Sequence, residues 1–153
     1  MSKMSKDAKT FYIKSRKENI KAGMVGRKPE ASRLNSHDFD FDVQGKFRYF
    51  ETVLGSGKFY GTEGLWEEGV PFWAMNYTGR TTALEFCQKF LNEALSKIDE
   101  DMPIRGIDGY EKDGYKYSCQ FEGDLKWFSG REAVHFDGKL VYECSFSGGD
   151  VED

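Results

Sequence analysis

Apolar and polar positions alternate along most of the chain after residue 37, and one helix-period stretch interrupts them. The densest alternation covers residues 58–79, where Phe59, Tyr60, Leu65, Trp66, Phe72, Trp73, Met75 and Tyr77 flank the polar turn Glu67-Glu68-Gly69. Period two predicts a β-hairpin here, with more aromatic surface than a solvent-exposed ribbon carries, so other elements must cover it. Upstream, Phe39-Asp40-Phe41-Asp42-Val43 alternates strictly and predicts a half-buried strand. Residues 46–54 predict a second strand, with Phe47 and Tyr49 on one face and Glu51 in phase with them. Downstream, strands are expected at 107–111, 115–122, 125–136 and 139–147. Asp137-Gly138 is a two-residue hairpin signal, and Gly130 marks a bulge or bend.

The helical period falls at 82–99. Leu84, Cys87, Leu91, Ala94, Leu95 and Ile98 recur on one face, widened by Ala83, Phe86 and Phe90. Thr82 and Glu85 have capping-box spacing, and Pro103 follows where a helix cannot continue. A shorter amphipathic signal at 7–21 is anchored by Phe11, Tyr12, Ile13 and Ile20, and stops at Ala22-Gly23. Residues 26–36 read as loop. The fold class that follows is α+β: a curved antiparallel meander of about seven strands, packed on one main helix (82–99), plus an N-terminal helix. Residues 9–149 form a single domain, between a disordered basic tail (1–8) and an acidic tail (150–153).

Composition changes this picture in two ways. The net charge of −4 conceals an asymmetry, +7 over residues 1–33 and −11 over the rest. A basic arm can hold nucleic acid or an acidic surface; lying against the chain's own acidic body is the simpler reading. Cys87, Cys119 and Cys144 are odd in number and widely spaced, which argues for reduced thiols in a cytoplasmic protein. The Lys-rich N-terminus has no apolar run behind it, and no window approaches the roughly 20 apolar residues of a membrane span. No zinc spacing, Gly-rich phosphate loop or G-x-S-x-G elbow is present, so neither a metal nor a cofactor is expected.

Several short motifs recur together in this chain. In order they are Ser36-His37-Asp38, Phe59-Tyr60-Gly61 with Glu63, and Pro71-x-Trp73-Ala74-Met75-Asn76-Tyr77-x-Gly79. Arg105-Gly106, Gly123-Asp124, Gly130-Arg131-Glu132, Val141-Tyr142 and Gly148-Gly149 follow. The combination resembles a bacterial family described only as a domain of unknown function (number 5680). The likeness spans residues 9–149 and is most specific over 73–79. It implies one intact domain, found alone or C-terminal to a helix-turn-helix in regulators, and it carries no established active site. Direct DNA binding is disfavoured, because residues 1–35 hold at most one helix where that motif needs two.

Three constellations could carry chemistry. His37-Asp38 could act as a base or as ligands, yet strand neighbours face apart, and capping a loop explains them as well. Glu63 shares a face with Phe59 and Leu65. Facing inward it is a carboxylate in an aromatic pocket; facing outward it is a rim group for Arg48, Arg80 or Arg105. A bulge at Gly61 or Gly64 would reverse it. Across the Asp137-Gly138 turn, Glu132 is expected opposite Glu143, an unfavourable pair unless compensated. The leading expectation is a small-molecule pocket between sheet and helix 82–99, lined by Tyr60, Glu63, Trp73, Met75 and Tyr77. The alternatives are an acid/base enzyme using Glu63 or Glu132 with His37, and a homodimer joined through an aromatic strand edge.

Overall fold

A computed structural model of the chain describes residues 2–23 and 31–153. Ser5 opens the first helix, α1 (Lys6–Ala22), by accepting the Ala8 N–H on its hydroxyl, with Asp7 in the first turn. The helix ends at Gly23, whose φ of 56° suits a residue without a Cβ. Four strands follow: β1 (His37–Asp42), β2 (Phe47–Leu54), β3 (Lys58–Glu67) and β4 (Val70–Thr81). The second helix, α2 (Gln88–Ser96), then leads to β5 (Glu111–Lys112), β6 (Tyr115–Asp124), β7 (Trp127–Phe136) and β8 (Lys139–Asp150).

The architecture is α+β, and the strands form one open, wholly antiparallel sheet of eight strands among the described residues, in the order β1-β2-β3-β4-β8-β7-β6-β5. It is two hairpin-linked halves rather than the single meander expected. After β4 the chain crosses through α2 to the far edge and winds back, so that β8 pairs with β4. Eight strands stand against the approximate seven expected, and the strand expected at 107–111 is reduced to the two-residue edge strand β5.

One sheet face is apolar and carries both helices. Phe11 of α1 sits 5.9 Å from Phe41 and 5.6 Å from Phe47, ring to ring, while Phe90 of α2 stacks on Tyr115 at 5.2 Å. Trp73 anchors the centre: its indole donates to the Leu125 carbonyl at 2.9 Å, and its ring stacks on Phe128. The other face mixes polar groups with aromatics such as Tyr60, and Thr62 there donates to Asn76 across β3 and β4. Among the described residues no helix is long and apolar enough to cross a membrane.

The structure corrects several local expectations. The helix expected at 82–99 is confined to Gln88–Ser96, so the 17-residue α1 is the longer helix. Thr82 is spent on the sheet: its N–H donates to the Val141 carbonyl and its hydroxyl to the Leu140 carbonyl. No capping box forms, Glu85 instead pairs with Lys139, and Leu84 is fully exposed. Residues 2–8, expected as a disordered tail, pack onto the domain. Met4 is buried, and Ser2 donates to Asp150 at 2.7 Å, tying the start of the chain to the acidic end.

Gly130 lies in regular register rather than at a bulge. An added Cβ there would come within 2.7 Å of the Phe146 ring, so the glycine permits close packing. The bulge of this half falls between Val134 and His135 opposite β8, where Val141 is the extra residue. The loop expected at 26–36 lies partly outside the described residues.

Candidate functional site

Pairing of β2 with β3 sets Glu51 directly opposite Glu63, both buried on the inner face. Glu63 points inward because β3 keeps its register through Gly61 and Gly64; the irregularity comes later, between Leu65 and Trp66. Helix α1 crosses above them. Tyr12, Arg16 and Asn19, spaced four and three residues apart, project from one side of that helix. Tyr12 and Tyr49 donate their phenol protons to the Glu63 carboxyl group, the latter at 2.6 Å. Glu51 accepts from the Tyr77 hydroxyl at 2.6 Å and from Asn19 Nδ2 at 3.0 Å. Burial pushes the Glu63 carboxyl above its ordinary range, with the Arg16 charge opposing the shift and Glu51 adding to it. Burial and the neighbouring carboxylates raise Tyr12, Tyr49 and Tyr77 as well, so all three remain proton donors.

A second cluster forms in the other half of the sheet. Glu132 on β7 accepts from Arg105 Nε at 3.1 Å and also from Nη2. The Tyr142 hydroxyl donates to it at 2.9 Å, and the Tyr117 hydroxyl also donates. Here burial is outweighed: the Arg105 guanidinium holds the Glu132 carboxyl below its ordinary range. Gly106 supports the arrangement by donating its N–H to Tyr117 at 3.0 Å, and a Cβ at that position would meet the Ala94 carbonyl at 2.9 Å. The nearby Cys119 and Cys144 thiols are pushed by burial to about 11 and stay protonated.

The two clusters meet at a cavity of about 340 Å³ between the inner face and the two helices. Arg16, Glu51, Glu63, Tyr77 and Arg105 form its polar side, and Phe59, Phe86 and Leu91 its apolar side. Arg16 Nη1 reaches the Arg105 carbonyl at 3.4 Å, and the Arg105 guanidinium lies 5.4 Å from the Tyr77 ring centre. Among the described residues no group of three or more His, Cys, Asp or Glu side chains is arranged to hold a metal ion.

The structure separates the residues singled out in the sequence. Glu63, Tyr77 and His37 all line this cavity. Trp73 and Met75 are completely buried in the core beneath it, and Tyr60 is 56% exposed on the outer face. Glu132 is buried one layer behind Arg105 and Tyr142. It does not face Glu143: the bulge at Val141 shifts the register by one, so Glu132 pairs with Cys144. Glu143 points outward between Arg80 and Arg131. His37 and Asp38 face apart, as strand geometry requires. Burial works against the Asp38 carboxylate, but the Ser32 N–H and the Ser36 hydroxyl hold it at about 2, in a loop-fixing role.

The opposed carboxylates expected at 132 and 143 therefore occur at 51 and 63. The alternation of Phe47, Tyr49 and Glu51 is the sequence signal for that pair. Arg16 and Asn19 carry a weaker one, their spacing from Tyr12.

The family model for a domain of unknown function, DUF5680, matches residues 49–151. The chain belongs to this family. The matched DUF5680 segment contains Tyr49, Glu51, Glu63, Tyr77, Arg105 and Glu132, whereas α1 and His37 precede it. No curated protein and no solved structure gave a significant match.

Proposed function

We propose that this DUF5680 domain binds a small organic molecule in the cavity between α1, α2 and the inner sheet face, as a non-enzymatic, sensor-like module. The supporting observation is a cavity of about 340 Å³ whose polar side is built from buried charged residues. That size lies within the range of ligand sites, and an apolar wall with a few convergent polar groups is their usual make-up. A cytoplasmic, regulator-associated role in a bacterium fits this reading. A thermal-shift screen against a broad metabolite library tests it. A ligand at one hundred times its dissociation constant stabilises by about 2.7 kcal/mol, enough to raise the melting temperature by several degrees. The hit should disappear in Leu91→Trp, which fills the cavity. Absence of any shift across the library counts against the proposal.

The second reading is an acid/base enzyme, favoured by Glu63 and His37 reaching one cavity with Glu51 opposite Glu63. Glu63, raised by burial, would be the proton donor; Glu132, held ionised by Arg105, would not. Turnover of a bound hit that survives Glu63→Gln unchanged would remove this reading.

A further inference from the structure

Arg16 is 5% exposed and lines the cavity, yet among the described residues no carboxylate lies within ion-pair distance of it. Its contacts are one long hydrogen bond, 3.4 Å to the Arg105 carbonyl, and the Tyr12 ring at 5.6 Å. The nearby acids are engaged elsewhere: Glu63 with two tyrosines, Glu51 with Tyr77 and Asn19, Glu132 with Arg105. No ion pair saturates this guanidinium: burial works against its charge, the Tyr12 and Glu63 groups offset that at longer range and hold it above its ordinary value, and most of its five N–H donors remain open.

We propose that Arg16 anchors the carboxylate of a small organic acid. The inference rests on the small-molecule reading above and names the ligand's class. A planar guanidinium fork matches one carboxylate in two parallel hydrogen bonds. A phosphate dianion fits worse, because Arg105 is already committed to Glu132 and two glutamates flank the remaining space. The acid's apolar body would lie against Phe59, Phe86 and Leu91. Burial shifts Glu63 towards its protonated form, which lessens its repulsion of an arriving anion. Asn19 adds a further requirement. Its Nδ2 is fixed by donation to Glu51, which leaves its buried Oδ1 without a hydrogen-bond partner. A hydroxyl or N–H on the acid would satisfy that atom.

The test uses the full chain and matched acid and amide pairs: salicylate with salicylamide, mandelate with mandelamide, 4-hydroxyphenylacetate with its amide, and inorganic phosphate as a separate arm. At least one acid is expected to raise the melting temperature at pH 7 while its amide does not. Arg16→Met is expected to weaken that acid at least tenfold. Amides that shift the protein as much as acids overturn the inference while leaving the small-molecule reading intact. Phosphate binding in place of every acid overturns it, as does a panel in which no acid binds. An Arg16→Met protein that binds the acid as tightly as wild type also overturns it. Silence from the broad metabolite library as well would remove the small-molecule reading itself.

Discussion

Glu63 and Glu132 lie on the same face of one sheet, each buried and each receiving hydrogen bonds from two tyrosines. Their environments then diverge. Arg105 contacts Glu132 through two nitrogens and holds it ionised, which completes that cluster internally. Glu63 has no cation within ion-pair distance among the described residues, and burial moves it towards its protonated form. The guanidinium nearest in role, Arg16, has no carboxylate partner among the described residues and stands above the cavity. Charge compensation inside the fold makes Glu132 a structural group. Its lack on the other side leaves Glu63 and Arg16 available to a ligand.

The largest effect expected from breaking this contrast is at Arg105. Arg105→Met strands the Glu132 carboxylate and should cost about 3–5 kcal/mol at pH 7 by urea unfolding. A loss below about 1 kcal/mol would mean Glu132 does not depend on its partner.

Next come the two glutamates compared across pH. The folded pKa of Glu132 is depressed, so its contribution is present above the ordinary carboxylate value near 4.3 and fades as pH falls below it. Glu63 is raised, so its contribution is present below that value and is lost as pH rises through the higher folded pKa. The stability difference between wild type and Glu132→Gln should therefore grow with rising pH. The difference for Glu63→Gln should shrink. Slopes of the same sign in a urea series from pH 3 to 8 would end the comparison.

A smaller effect is expected at Tyr77→Phe, which removes one donor from Glu51 and should cost about 1 kcal/mol, read in the same unfolding assay. The smallest is Glu143→Gln. Its two arginine partners are more than half exposed, so the loss should stay within about 0.5 kcal/mol. A larger loss would show that the outward carboxylate matters as much as the inward ones.

Parts of this site are legible in the order of residues alone. The facing of Glu63 follows from period two where no bulge intervenes, and the same rule applies to Glu51. Glu132 defeats the rule, because a single extra residue at Val141 changes its partner while leaving composition and alternation nearly untouched. Thr82 and Glu85 defeat another. Their spacing fits a cap, but strand hydrogen bonds to residues 140 and 141 claim the threonine first.

Local features are encoded in the order of residues: alternating strands, the Asp137-Gly138 turn with both residues at positive φ, the Gly23 stop and the α+β class. These depend on neighbours a few residues apart, where sterics and hydrogen bonding are encoded directly. Tertiary structure decided which strands meet and what covers them. The β4–β8 junction joins residues about seventy positions apart, and only the docking of α1 brings Tyr12, Arg16 and Asn19 onto the Glu51–Glu63 pair. Burial and charge compensation are properties of that assembled neighbourhood, so two glutamates alike in sequence acquire opposite chemistry.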